Sequence, residues 1–212
     1  MTTLDEIGVK YAYNFGKGKL YTGGDKTSLG NNFTKEYEIL FEPIRENKLN
    51  LLELGVLCGK SIAMWSDYFP NGTIYAIDIC LKTFFDSERE LIKHSAFKNN
   101  NIKLFEKDIT NDAFKDFVKD LPTFDIIIDD ALHLAKAQYD NFIILFHKLN
   151  KGGYYVIEDI VDPDGFFSYF SDIIKCSSNV SSSYSKQNKH YSISVKIEYI
   201  QIKQNMVIIK RK

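Results

Sequence analysis

Five short apolar runs in this chain each end in, or lead directly into, acidic residues, and amphipathic segments separate them. The runs are "NLLEL" (50–54), "TIYAIDI" (73–79), "IKLFEKDI" (102–109), "FDIIIDD" (124–130) and "GYYVIEDI" (153–160). Apolar runs of this length bounded by turn residues read as buried strands. The intervening stretches have helical spacing instead. "KSIAMWSDYF" (60–69) places Ile62, Met64, Trp65 and Phe69 on a helix that "PNG" breaks. "TFFDSERELIKHSAF" (83–97) is amphipathic and ends at Asn99–Asn101. "NDAFKDFVKDL" (111–121) is a helix capped by Asn111, and "AKAQYDNFIILFHKLN" (135–150) is one closed by "KGG". Strand–helix alternation of this kind predicts a mostly parallel sheet with helices on both faces.

Sheets of that class bind ligands beyond the carboxyl ends of their strands. The acidic run-ends therefore acquire a common location. Strand one carries Glu53, strand two Asp78, strand four Asp129 and Asp130, and strand five Glu158 with Asp159, while Asp108 follows strand three. After strand five, "EDIVDPDG" reads as a charged turn, with Asp162 and Asp164 as turn residues around Pro163. "CSSNVSSSYSKQNKHYS" (176–192) reads as a Ser/Asn-rich mobile loop, and "ISVKIEYIQI" with "MVIIKR" as an antiparallel hairpin about Lys203–Asn205. Ahead of the sheet, residues 1–45 form an extension with one helix, "TKEYEILFEPI". Its tyrosines (Tyr11, Tyr13, Tyr21) suit either a lid or a dimer arm. Residues 46–212 make the main domain of a single-domain chain.

Composition removes several classes of function. The 212 residues are 44% hydrophobic and 26% charged, which suits one globular domain with a sizeable core. A formal net charge of −1 supplies no field for nucleic acid or an acidic membrane. No run reaches the ~18 apolar residues of a membrane helix, and the N-terminus has no signal-peptide pattern. Cys58, Cys80 and Cys176 are odd in number and lack CxxC spacing, so they describe neither a zinc site nor a disulfide framework. The reading is a reduced, cytoplasmic protein. His94, His147 and His190 read as surface residues, and Trp65 and Met64 as core.

The turn after strand one, "ELGVLCGKS" (53–61), spaces its glycines as Gly55-x-x-x-Gly59, with Leu57 where a dinucleotide fingerprint needs glycine. A ligand without a pyrophosphate fits this turn better. Asp78 is placed to accept from ribose hydroxyls, and Asp108 from an adenine amino group. Over residues 49–160, "LLELGVLCGKSIAMWSDYFPNGTIYAIDI" and the later "KD" resemble class I S-adenosylmethionine-dependent methyltransferases, whose sheet is Rossmann-like and seven-stranded with a C-terminal antiparallel hairpin. The resemblance implies that Glu53 and Gly55 lie near the methionine moiety, Asp78 on the ribose, and Asp108 with Ile109 near the adenine.

Methyl transfer to a hydroxyl benefits from a divalent cation that acidifies it and a base that takes its proton. Asp130, Glu158 and Asp159 are hard oxygen donors suited to Mg²⁺ or Mn²⁺, and His133 titrates near neutrality. "IDDALH…GGYYVIEDI" resembles the metal-dependent sugar O-methyltransferases of macrolide and surface-polysaccharide pathways. That resemblance implies metal binding by Asp130, Glu158 and Asp159, with His133 as general base and Asp130 in the catalytic cluster. Asp129 would lie on the cofactor side or support the cluster. "GGDKTSLG" resembles a GTDKG element near cofactor and acceptor, carried here by Asp25 and Lys26. Ala131-Leu132 replaces the family's Gly-Ser after the two aspartates, and Asn31 and Asn32 stand where a histidine commonly follows the GTDK element.

The expected activity is O-methylation of a small polar acceptor such as a sugar or nucleotide-sugar, in a chain that is a possible homo-oligomer. The competing readings are metal-free methylation of a nitrogen or phosphate oxygen, a non-catalytic binding subunit, and an NAD-dependent reductase.

Overall fold

A computed structural model describes residues 2–12 and 24–212. Tyr13, Tyr21 and Gly23, expected in the front segment, lie outside the described residues. The seven-stranded sheet is mostly parallel and ends in an antiparallel pair, with helices around it. The chain comprises two compact units, Met1–Lys107 and Asp108–Lys212.

The first unit runs α1 (Leu4–Ala12), α2 (Phe33–Phe41), β1 (Asn50–Leu54), α3 (Lys60–Tyr68), β2 (Thr73–Asp78), α4 (Lys82–Lys93) and β3 (Ile102–Glu106). Its strands are parallel in the order β3-β2-β1, with Leu52 opposite Tyr75 and Ala76 opposite Leu104. One helix was expected ahead of the sheet, and the described residues hold two. Helix α1 buries Leu4, Ile7, Gly8 and Tyr11, a helical stripe spread over only nine residues. Tertiary contacts fix so short a helix. Tyr11 Oη donates to Asp67 Oδ2 (2.5 Å), and Asp5 accepts from Ser28 N (2.7 Å) and Thr34 Oγ1 (2.7 Å). Gly8 permits this docking, since a Cβ there would stand 2.6 Å from Thr27 and 2.7 Å from Met64. Trp65 and Met64 are buried, as expected. The Trp65 ring packs edge-on against Tyr37, with centroids 5.2 Å apart.

The second unit runs α5 (Asp112–Asp120), β4 (Phe124–Asp129), α6 (Ala135–Leu145), β5 (Leu149–Glu158), α7 (Pro163–Ser178), α8 (Ser183–Gln187), α9 (Tyr191–Ser194), β6 (Ile197–Lys203) and β7 (Met206–Arg211). The order is β4-β5-β7-β6. Strands β4 and β5 are parallel, and β7 is antiparallel to both its neighbours. Asn111 caps α5 as expected, its side chain accepting from Phe114 N at 3.1 Å.

Three local expectations in this unit need correction. Asp162 and Pro163 are not a plain turn but the start of α7. Asp162 Oδ1 accepts from Gly165 N (3.0 Å), and Pro163 occupies the first helical turn, where its missing N–H costs nothing. The Ser/Asn-rich stretch from residue 176 is not a loop throughout. It completes α7 and forms α8 and α9 because serine hydroxyls bond locally, Ser182 Oγ accepting from Ser185 N (3.0 Å) and Ser185 Oγ donating to Asn179 O (2.7 Å). Finally, "KGG" lies inside β5 rather than closing α6. A Cβ at Gly153 would stand 2.8 Å from Asp125 O, so glycine admits the neighbouring strand beside a register shift. Among the described residues no helix is long and apolar enough to cross a membrane.

Candidate functional site

In the first unit, the chain leaving β1 turns through three left-handed residues: Gly55 (φ 91°), Leu57 (φ 48°) and Gly59 (φ 79°). Gly59 begins α3 with no side-chain cap, and a Cβ there would stand 2.4 Å from the Phe84 ring. Both its backbone angle and its neighbour demand glycine. Gly55 N donates to Ile77 O (2.8 Å), which ties the turn to β2. Asp78, at the end of β2, braces the same turn. Its Oδ2 accepts from Val56 N (2.7 Å) and Leu57 N (3.1 Å), and its Oδ1 from Cys80 N (3.0 Å). Its Oδ2 is thereby filled, and Oδ1 keeps an acceptor site beyond its bond to Cys80 N.

Glu53 is fully buried one residue before the end of β1, and the Lys26 ammonium approaches its Oε1 at 3.3 Å. Lys26 arrives on a tight turn in which Thr27 Oγ1 donates to Gly24 O (2.6 Å) and Thr34 N to Lys26 O (2.9 Å). Asp25, its expected companion, is exposed. Sequence reasoning missed Lys60, a buried lysine whose Nζ donates to Ala12 O, the last carbonyl of α1, at 3.3 Å. Burial lowers its pKa, and burial likewise raises that of the neighbouring Cys58 thiol. A lysine on the glycine turn of an α/β sheet is the signal that could have found it.

The second unit holds the remaining candidates. Asp108 Oδ1 accepts from Thr110 Oγ1 (2.6 Å) and Thr110 N (2.8 Å), and these bonds hold its carboxyl below the usual range. Ile109 beside it is half-buried.

Asp129, the last residue of β4, and Asp130, the next in the chain, have different surroundings. Asp129 is 1% exposed and accepts from Asn141 Nδ2 of α6 at 3.0 Å. Burial pushes its pKa up to about 7. Tyr155 is buried as well, and burial, then the charge of Asp129, raises its hydroxyl pKa. The sequence reading passed over Asn141 and Gln138, polar residues three apart on the buried side of α6.

Asp130 faces the other way. Its Oδ1 lies 3.2 Å from His133 Nε2, and Asp159 Oδ2 lies 3.8 Å from the same nitrogen. One donor atom from each of Asp130, His133 and Asp159 falls within 4.8 Å of the other two. All three residues are only partly buried. The hydrogen bond to Asp130 raises the His133 pKa; burial opposes this, and the charges of Asp130, Asp159 and Asp129 add to the rise. Asp159 adopts φ 50°, a left-handed conformation that non-glycine residues rarely adopt. Glu158 is buried, its backbone oxygen accepting from Gln138 Nε2 (2.9 Å), and it is not part of this three-residue group. His190, read as a surface residue, is 8% exposed and shares a 2.9 Å hydrogen bond with Tyr139 Oη.

Residues 52–160 match the profile of a family described as a methyltransferase domain. The chain is 33% identical over 143 residues to the 8-demethyl-8-(2-methoxy-alpha-L-rhamnosyl)-tetracenomycin-C 3'-O-methyltransferase of Streptomyces olivaceus, covering 64% of this chain and 34% of that protein. It is 32% identical over 136 residues to the mycinamicin VI 2''-O-methyltransferase of Micromonospora griseorubida, covering 60% of this chain and 31% of the relative. Its matches thus span about a third of these curated relatives. In fold it is similar to a methyltransferase of the mycinamycin biosynthetic pathway solved with Mg, SAH and mycinamycin VI. The TM-score is 0.74 at 22% identity, over 99% of this chain and 54% of that one.

Proposed function

We propose that this chain, which belongs to the methyltransferase-domain family, transfers a methyl group from S-adenosylmethionine to a hydroxyl of a small polar acceptor, such as a sugar, with the help of a divalent cation. The observation that carries the proposal is the approach of Asp130, His133 and Asp159 to one another at the ends of β4 and β5. The two carboxylates fit a hard cation, Mg²⁺ or Mn²⁺, the imidazole beside them can take a proton, and among the described residues no cysteine joins the group. The similarity to O-methyltransferases of rhamnosyl tetracenomycin compounds supports the same acceptor chemistry.

In this reading Asp130 and Asp159 hold the cation, and Glu158 is the third ligand that the motif resemblance assigns. When bound, such a cation lowers the pKa of an acceptor hydroxyl. His133 takes the hydroxyl proton at Nε2, the nitrogen flanked by Asp130 and Asp159. The negative charge of the two carboxylates stabilises the imidazolium that forms. Asp129, anchored by Asn141, keeps the end of β4 in place below Asp130. Glu53, Gly55 and Asp78 serve the methionine and ribose parts of the cofactor, and Asp108 with Ile109 its adenine. The methyl group moves in line between sulfonium and oxygen, so positioning supplies much of the rate. Residues 46–212 constitute the catalytic domain, and residues 1–45 its extension.

The test is conversion of S-adenosylmethionine to S-adenosylhomocysteine with a panel of free and aglycone-linked sugars, with and without chelator. Turnover that chelator abolishes and Mg²⁺ or Mn²⁺ restores is the expected result. Turnover that persists in chelator overturns the role of the cation.

A further inference from the structure

Helix α6 buries two polar side chains on the face where a helix against a core ordinarily carries apolar ones. Gln138 and Asn141 are each 2% exposed, and their three-residue spacing sets them on one side of the helix. A buried amide costs free energy unless it is hydrogen-bonded, and an apolar side chain of the same volume carries no such cost. Both amides serve strand ends. Asn141 Nδ2 donates to Asp129 Oδ2 (3.0 Å), in the residue before Asp130. Gln138 Nε2 donates to the backbone oxygen of Glu158 (2.9 Å), in the residue before Asp159. The same helix starts two residues after His133, and Gln138 N closes its first turn on Leu134 O (3.0 Å). Beyond Asp159, Ile160 N donates to Asn205 O (3.3 Å), so the left-handed Asp159 is pinned on both flanks. One helix therefore holds the chain beside every member of the Asp130, His133 and Asp159 cluster.

We propose that Gln138 and Asn141 are positioning residues, a two-point latch by which α6 sets the distance between Asp130 and Asp159 and holds His133 beside them. This rests on the reading of the cluster as a cation site. Two like charges repel, and strand ends without these bonds relax by turning their carboxylates apart. The latch opposes that relaxation. The site is shaped before the cation arrives, and binding does not have to order it. Each amide acts through a neighbour, since neither belongs to the cluster. Metal sites depend on such outer contacts, and losing one costs about 10–100-fold in metal affinity or activity. Both anchors converge on one cluster, so their losses do not multiply. Once one strand end is free, the second bond has less to hold.

Mn²⁺ titration of the full chain, followed by electron paramagnetic resonance, tests the latch, with S-adenosylhomocysteine calorimetry and thermal unfolding on the same samples. Gln138→Met and Asn141→Leu keep the volume and remove the donor. Each should weaken Mn²⁺ binding ~10-fold or more, while affinity for S-adenosylhomocysteine stays within a few-fold. The double variant should fall short of the product of the two single losses. A merely structural pair would lower the unfolding temperature and leave the Mn²⁺ affinity of the folded protein unchanged, as Asn111→Ala at the α5 cap should do. That result overturns the inference. So does a loss of Mn²⁺ and S-adenosylhomocysteine by the same factor, or a double variant whose losses multiply. If an apolar variant does not fold, Gln138→Asn or Asn141→Ser replaces it. These shorten the reach and keep a polar side chain, and the same losses are expected and the same results overturn the inference. A wild-type chain with no saturable Mn²⁺ site removes the cation reading, and this inference with it. A wild-type site that survives undiminished in every variant removes this inference alone.

Discussion

At the end of β1 the charges are compensated inside the protein: Lys26 stands 3.3 Å from Glu53, and Asp78 accepts three backbone N–H groups. The ends of β4 and β5 are arranged differently. Asp130 and Asp159 share one imidazole, and all three groups are partly open to solvent. The first arrangement keeps its charges out of water. The second sets two partly exposed carboxylates against one imidazole, which suits a cation. Strand ends in the two units thus offer two electrostatic environments, and burial makes the difference between them.

The largest test of this contrast removes the surplus charge. Asp130→Asn/Asp159→Asn should lower turnover by ~10³-fold or more, because the cation's activation of the hydroxyl is lost. Affinity for S-adenosylhomocysteine, measured by calorimetry, should stay within a few-fold. A parallel loss of cofactor affinity would break the comparison. His133→Ala should follow, with kcat down ~10²–10⁴-fold and cofactor affinity unchanged, the range for a lost general base. Unchanged turnover would remove the base assignment.

Gly59→Ala probes the other region. Its Cβ would meet Phe84 at 2.4 Å on a left-handed backbone, so thermal unfolding should show a loss of about 1–3 kcal/mol with weakened cofactor binding. Manganese affinity of the folded fraction should be unchanged. The smallest effect is expected for Asn111→Ala, which removes the α5 cap and touches neither region. Stability should fall by about 1 kcal/mol, with both affinities intact.

Much of this was legible in the sequence because strand periodicity and glycine turns are local signals. Each of the five parallel strands was placed within a few residues, and the ends carrying Asp130 and Asp159 came with them. What escaped depended on distant partners. Helix α1 is nine residues long, and its support comes from Ser28, Thr34 and Asp67, none of which its own pattern reveals. The serine-rich stretch after Cys176 has a loop composition, yet its hydroxyls close short helices. At the site, adjacency hid a division. Asp129 and Asp130 are neighbours in sequence, but one is sealed beneath Asn141 and the other meets His133. Glu158 and Asp159 divide in the same way between buried and partly exposed. Alternation along a strand foretells that such pairs separate, but not which member reaches the cluster.

The cation cluster is the center of the account, and Mn²⁺ titration followed by electron paramagnetic resonance tests it directly. The wild-type chain should show a saturable Mn²⁺ site that Mg²⁺ competes for, and Asp130→Asn/Asp159→Asn should abolish it. Undiminished Mn²⁺ binding in that variant would contradict the account.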